Sequence, residues 1–83
     1  MMNSDSQPTD IPFDKSILSD LVSMKMPFGK FKGRLISNLP EPYLLWFHQN
    51  GYPQGRIGIL LNTLYEIRLN GLEFLLKELQ KKM

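Results

Sequence analysis

The sequence contains no cysteine and a single histidine, His48. Without thiols, neither a disulfide nor a cysteine metal site can stabilise the fold. No signature of a nucleophile or a carboxylate partner accompanies His48, and no His/Asp/Glu cluster has the spacing of metal ligands. We therefore expect a protein that is not an enzyme and that has no metal site and no cofactor.

Long hydrophobic runs are also missing. No apolar run approaches the roughly 20 residues that span a bilayer. The N-terminus lacks a basic segment followed by an apolar one, which a signal peptide would show. These absences predict a cytoplasmic protein with no membrane partner. The length of 83 residues allows one domain at most, with a modest core.

Charge is unevenly distributed, although the net charge is only +2. Residues 1–22 hold four aspartates against one lysine, a net −3, and residues 23–83 hold nine Lys/Arg against four Glu, a net +5. Residues 1–12 are polar, and we expect a disordered acidic arm there. This arm either folds back over the basic body and screens it, or is acidic only because disordered segments often are.

Helical periodicity predicts most of the remaining chain, which we expect to be a single domain over residues 13–83. A short helix is predicted over about residues 14–23, with Asp14 or Asp10 as its cap. A second is predicted over 37–51, capped by Asn38 or Ser37 and stopped by Asn50-Gly51. A third is predicted from Arg56 to Asn70, and Gly58 in its first turn would let another element approach closely. The Asn70-Gly71 pair favours a break before a last leucine-rich helix over one long helix.

The segment 24–36, "MKMPFGKFKGRLI", has the period of a strand. Met24, Met26 and Phe28 alternate with polar or proline positions, and Gly29-Lys30 suits a tight hairpin turn. A two-stranded hairpin needs helices packed on one face to be stable in water. We therefore expect a small α+β domain: a short helix, a β-hairpin, and then two or three packed helices.

The basic hairpin is the leading candidate site. If residues 30–34 are extended, Lys30, Lys32 and Arg34 share one face and can contact phosphates, while Phe31 can stack on a base. Lys25 and Arg56 would extend the patch. The alternative is that Phe28 and Phe31 belong to the core and that the cations form a solvated face. The candidate nucleic-acid-binding residues are Lys25, Lys30, Phe31, Lys32, Arg34 and Arg56.

Aromatic side chains on and just after the second predicted helix suggest a different candidate site. Tyr43, Trp46 and Tyr52 are rings that a small core does not readily hide, so they would indicate a protein partner or a homodimer. The alternative is that they are core or half-buried rings. A third and more distant possibility is an anion site at residues 55–58, where a glycine-flanked arginine begins a helix.

The motifs M-P-F-G-K-F-K-G, L-P-E-P-Y-L-L-W, G-Y-P-Q-G and N-G-L-E follow one another within residues 24–74. This segment resembles the small bacterial domain of unknown function DUF3820, also labelled a putative quorum-sensing-regulated virulence factor. A similar F-G-K-x-K-G…L-P-x-x-Y-L-x-W segment occurs beyond the nuclease core in some DEDD-type 3′–5′ exonucleases. The resemblance implies a non-catalytic module associated with nucleic acid, since the chain lacks the acidic constellation of such a core. The alternative is a protein–protein adaptor or regulatory subunit.

Overall fold

The computed structural model describes residues 13–81, and the side chains of residues 13–80. Within this range the chain forms helices and has no strand. The helices are α1 (Lys15–Ser23), α2 (Glu41–Asn50), α3 (Arg56–Leu69) and α4 (Phe74–Lys81), with a 3₁₀ turn at Ile36–Asn38. The predicted α+β class with a β-hairpin is therefore wrong, since the described part is a small helical domain. The predicted disordered arm lies outside the described residues.

Helix α1 begins where Asp14 caps it. The Asp14 carboxylate accepts hydrogen bonds from the backbone N–H and the hydroxyl of Ser16, both at 2.7 Å. This arrangement satisfies a backbone donor that the helix itself leaves unpaired. Leu18, Leu21 and Val22 bury the apolar face of the helix. The predicted helix over residues 14–23 is thus confirmed, with Asp14 as its cap.

Helix α2 begins at a proline without a side-chain cap. Pro40 has the extended backbone of an N-cap residue, and no side chain bonds to the first turn. The predicted caps, Ser37 and Asn38, belong instead to the 3₁₀ turn, so that prediction is wrong. Gly51 ends the helix with a φ of 107°, and its N–H donates to the Phe47 carbonyl at 2.7 Å. The predicted stop at this glycine is confirmed.

A C-terminal cap ends α3 and separates it from α4. The N–H of Leu72 donates to the Ile67 carbonyl at 2.9 Å, and the N–H of Gly71 donates to the Arg68 carbonyl at 3.2 Å. Gly71 has a φ of 69°, which a residue without a Cβ adopts easily. Together these features form a Schellman motif. The predicted break at Asn70-Gly71 is confirmed.

Helix α3 is the centre of the core. It packs against α1, α2 and the 3₁₀ turn, and α4 packs against α1. The fully buried residues of α3 are Leu60, Leu61, Leu64 and Ile67. A Cβ at Gly58 would lie 1.8 Å from the Pro53 carbonyl oxygen, so the preceding loop approaches the helix as predicted. No helix within residues 13–81 has both the length and the apolar character needed to cross a membrane.

Candidate functional site

Residues 24–35, here named the basic loop, join α1 to the 3₁₀ turn in place of the predicted hairpin. The two arms of the loop are antiparallel, with one isolated β-bridge at their base. Beyond it, the N–H of Gly33 donates to the Met26 carbonyl, and the N–H of Met26 donates to the Arg34 carbonyl, at 2.8 Å in each case. Gly33 has a φ of 90°, so two residues oppose one as in a glycine β-bulge. Pro27 follows with no N–H to donate, and pairing stops before a strand forms.

The tip of the basic loop is formed by turns. The N–H of Lys32 donates to the Gly29 carbonyl at 3.1 Å, and the N–H of Arg34 donates to the Phe31 carbonyl at 3.0 Å. The prediction that Lys30, Lys32 and Arg34 share one face of an extended strand is therefore wrong. All three side chains are nevertheless exposed, so the cations of the loop remain accessible.

Phe31 connects the basic loop to α2. Its half-buried ring meets Tyr43 edge-on with 4.7 Å between centroids, and Tyr43 meets Phe47 in the same way at 5.0 Å. Phe47 is buried, so this row of rings ties the loop to the core. The Lys30 ammonium lies 5.6 Å, and the Arg34 guanidinium carbon 5.0 Å, from the Phe31 centroid. Both distances allow a cation–π interaction, which holds two cations beside an anchored ring.

An open groove with a volume of about 710 Å³, here named the aromatic groove, lies between the basic loop and α2. Its lining residues are Phe28, Gly29, Lys30, Phe31, Pro40, Pro42, Tyr43, Trp46 and Phe47. Trp46 is 56% exposed and Phe28 is 39% exposed, so the reading of Phe28 as a core residue is wrong. Phe31 and Tyr43 are half-buried against the core. The groove thus joins residues of both candidate sites, the basic loop and the aromatic helix.

Arg56 and Lys25 are placed differently from the tip cations. The Arg56 guanidinium donates to Asp20 Oδ2 through Nη2 at 2.7 Å and through Nε at 3.0 Å. It also reaches the Ser16 hydroxyl at 3.5 Å, so it joins α3 to α1 and does not line the groove. Lys25 is exposed at the base of the loop, in the β-bridge with Leu35. The structure therefore does not bring these two cations together with the tip.

Tyr52 belongs to a separate aromatic cluster. Its ring stacks against Phe47 at 6.4 Å, and its hydroxyl lies 3.4 Å from Nδ1 of His48. His48 in turn stacks on Tyr65 with 4.1 Å between centroids. Burial raises the pKa of Tyr52, and the neighbouring Tyr65 and Glu66 raise it further. Tyr52 therefore packs on the back of Phe47, while Tyr43 and Trp46 face the groove.

Five groove residues were not anticipated from the sequence as parts of a site: Phe28, Gly29, Pro40, Pro42 and Phe47. The first four lie within the motif segments M-P-F-G-K and L-P-E-P-Y, and Phe47 directly follows L-P-E-P-Y-L-L-W. This membership of the motifs was the available signal. Among residues 13–81, no group of three His, Asp or Glu side chains is placed to hold a metal ion. The chemistry of the groove is accordingly that of aromatic faces with cations at the edge.

Comparison with known proteins gives a family match over most of the chain. Residues 14–79 match the family model described as "Putative quorum-sensing-regulated virulence factor". The "Uncharacterized protein YpeB" of Escherichia coli K12 is 38% identical over 71 residues, covering 84% of this chain and 99% of that protein. The protein of the same name from Escherichia coli O157:H7 matches to the same extent. No solved structure matches the chain significantly.

Proposed function

The chain belongs to the family described as "Putative quorum-sensing-regulated virulence factor", and we propose that it is a non-catalytic module that binds nucleic acid. In this proposal the exposed cations of the basic loop meet the phosphate backbone beside the aromatic groove. A cytoplasmic location is part of the same proposal. The expected resemblance to this family is confirmed, and its description names no mechanism.

The observation that carries the proposal is the position of two cations beside an anchored ring at the edge of a groove. Lys30 and Arg34 lie 5.6 and 5.0 Å from the Phe31 centroid, and Lys30 also lines the groove. Proteins that bind nucleic acid without strong sequence preference combine cations that follow the backbone with aromatic faces for the bases. The similar segment beyond the core of some DEDD-type exonucleases, noted from the sequence, supports the same reading.

The number of cations limits the expected affinity. If Lys30, Lys32 and Arg34 each contact one phosphate, binding should be weak, with a Kd on the order of 10⁻⁴–10⁻⁶ M at physiological salt. The logarithm of the binding constant should fall against the logarithm of salt concentration with a slope of about −2 for a single strand. A module of this strength suits an accessory role more than sequence-specific regulation.

The test is fluorescence anisotropy with labelled DNA and RNA, single-stranded and duplex, at several salt concentrations. The variant Lys30→Ala/Lys32→Ala should bind more weakly, and its salt slope should shrink to about −0.7 because one phosphate contact remains. The control Lys15→Ala/Lys77→Ala removes the same charge from exposed positions on α1 and α4. It should keep the slope of the parent protein.

Two outcomes would overturn the proposal. One is the absence of binding at low salt to every nucleic acid tested. The other is an equal loss of binding in the two double variants, because net charge alone would then explain the affinity. Circular dichroism should first establish that each variant is folded.

The second candidate function is a protein–protein adaptor that uses Tyr43, Trp46 and Tyr52. The observation in its favour is that Trp46 is 56% exposed within the groove, whereas a deeply buried Trp46 would have argued against a contact role. Exposed aromatic rings often anchor interfaces. If nucleic acid does not bind, a homodimer can be sought by sedimentation velocity, with Trp46→Ala expected to shift any dimer toward monomer.

A further inference from the structure

We propose, resting on the function proposed above, that the aromatic groove selects single-stranded nucleic acid by stacking an unpaired base on Trp46. In this assignment Trp46 is the platform and Phe28 the opposite wall. Lys30 and Arg34 then meet the phosphates next to that base. The inference adds a substrate class and two residues, Trp46 and Phe28, to the nucleic-acid site expected from the sequence.

Trp46 is held in place and yet uncovered. It meets Phe47 edge-on, with 5.3 Å between centroids and an interplanar angle of 86°. Phe47 is only 8% exposed, so the tryptophan ring contacts a buried side chain on one side. More than half of Trp46 remains exposed, and it lies on a rigid helix rather than on a loop. Little conformational freedom would be lost when a planar ligand stacks on it, which favours binding.

The charges around the groove fit a polyanion. Lys30 lines the groove, Lys32 is exposed on the same loop, and the exposed Arg34 lies 5.0 Å from the ring of Phe31, which lines the groove. Glu41, in the first turn of α2, instead lines the separate cleft with Leu45 and Leu69. Among the described residues that line the groove, the charge is therefore positive and no carboxylate is present. An acidic ligand with a planar aromatic part matches this pairing of cations and rings.

The geometry favours a single strand over a duplex. In a duplex each base is stacked between its neighbours and paired at its edge, so no base face is free for Trp46. In a single strand a base can be splayed out and laid against an aromatic ring. The groove volume of about 710 Å³ is within the range of about 300–1,000 Å³ that is typical of small-ligand sites. An unpaired base can therefore enter it without rearrangement of the core.

The sole tryptophan provides a direct probe of stacking. Trp46 is the only Trp in the chain, so its fluorescence reports on the groove alone. Titration with a short oligothymidylate should quench that fluorescence, with the same midpoint as the anisotropy of the labelled strand. A duplex of equal length should bind more weakly and quench less. In a Phe28→Ala variant, the midpoint of the fluorescence titration with the single strand should lie at a higher oligonucleotide concentration.

Variants separate stacking from charge. Trp46→Ala should weaken single-strand binding about fivefold or more, the size expected for one base–aromatic contact, while leaving the salt slope unchanged. Trp46→Phe should retain most of the affinity because the ring remains. The matched control is Phe74→Ala on α4, since Phe74 is 57% exposed and does not line the groove. That control should bind like the parent protein.

The outcomes distinguish this inference from the proposed function. Salt-dependent binding that is equal for single strand and duplex, or that leaves Trp46 fluorescence unchanged, would overturn the inference and leave the function standing. So would a folded Trp46→Ala variant that binds normally. The absence of binding to any nucleic acid at low salt would overturn both.

Discussion

Gly29 is the residue whose replacement should disturb the aromatic groove most directly. It has a φ of 77°, and a Cβ there would lie 2.9 Å from the Tyr43 hydroxyl oxygen. Tyr43 is held between Phe31 and Phe47, so its ring has little room to retreat. We expect Gly29→Ala to lower both the free energy of unfolding, measured in urea, and the affinity for a single strand.

The matched control is Gly33→Ala in the same loop. Gly33 also has a positive φ, 90°, but a Cβ there would meet nothing within 4 Å. Only backbone strain is then expected, about 1–2 kcal/mol. Adding Tyr43→Phe to Gly29→Ala removes the clashing hydroxyl and should bring the stability close to that of Gly33→Ala. If the double variant is no more stable than Gly29→Ala alone, the contact with Tyr43 is not the cause.

Arg56 should contribute little to nucleic-acid binding, in contrast to the expectation from the sequence. Its guanidinium is paired with Asp20 at 2.7 Å, with side-chain exposures of 47% and 32%. Exposed pairs of this kind stabilise proteins by less than about 1 kcal/mol. We expect Arg56→Ala to lower stability by no more than that and to leave the affinity for single-stranded DNA unchanged. An affinity loss in Arg56→Ala as large as that in Lys30→Ala would contradict this.

The sequence predicts the individual groups of the candidate site better than their arrangement. Lys30, Phe31 and Trp46 are all identifiable from the sequence as candidates, but for two separate surfaces. The two surfaces form one groove because Phe31 contacts Tyr43, and these residues are twelve positions apart and belong to different elements. Local periodicity carries no information on such a contact. The ion pair of Arg56 with Asp20 is hidden for the same reason.

The stability of helix α1 depends on pH through the carboxylate of its cap, Asp14. Hydrogen bonds from the Ser16 hydroxyl and N–H hold the pKa of the Asp14 carboxyl below its ordinary value of 3.8. The stabilisation from the charged cap is therefore complete above that value and is lost as the pH falls through the lower pKa of the folded state. We expect Asp14→Asn, which can still cap, to show a shallower loss of stability between neutral and strongly acidic pH.

The measurement for Asp14 is urea unfolding at a series of pH values, compared between the parent protein and Asp14→Asn. The difference between the two curves isolates this carboxyl from the other acidic groups. A Ser16→Ala variant removes one hydrogen bond and should move the same transition toward the ordinary pKa. Parallel curves for the parent protein and Asp14→Asn would show that the cap does not titrate in this range.

At the level of elements, the helices follow from local signals and the basic loop does not. The Asp14 cap, the stop at Gly51 and the break at Gly71 are each set by a few adjacent residues. Residues 24–36 show the alternation of a strand, but a hairpin also needs continuous backbone hydrogen bonds between its two arms. Pro27 lacks a donor, and the bulge at Gly33 leaves the arms too short. The predicted α+β class failed because alternation of apolar residues does not by itself provide a paired strand, and of the three alternating residues Met24, Met26 and Phe28 only Met26 is buried.

At the scale of the whole molecule, the groove depends on the core that supports it. Trp46 contacts Phe47 directly, and Phe31 is connected to Phe47 through Tyr43. Helix α2 packs on α3, which also packs on α1. Helix α4 also packs against α1. Arg68 at the end of α3 donates to the carbonyls of Leu39 and Ser37, which fixes the turn before α2. A substitution that weakens packing far from the groove should therefore change the groove only by making the whole domain unfold more easily.

Helix α4 offers a matched pair of variants to test this coupling. Leu76 is 5% exposed and Phe74 is 57% exposed. Leu76→Ala should lower the free energy of unfolding by about 2–5 kcal/mol because it leaves a cavity in the core. Phe74→Ala should change it by no more than about 0.5 kcal/mol. Urea unfolding would be followed by far-ultraviolet circular dichroism for the helices and by Trp46 fluorescence for the groove.

The two probes should give coincident transitions in the parent protein and in both variants, as expected when a small domain unfolds in one step. Leu76→Ala should shift both transitions equally, although Leu76 is on α4 and Trp46 on α2. Leu76→Met, which conserves volume, should stay within about 1.5 kcal/mol of the parent. If Leu76→Ala moves the helical transition and leaves that of Trp46 in place, α4 unfolds separately and the groove does not depend on the whole core.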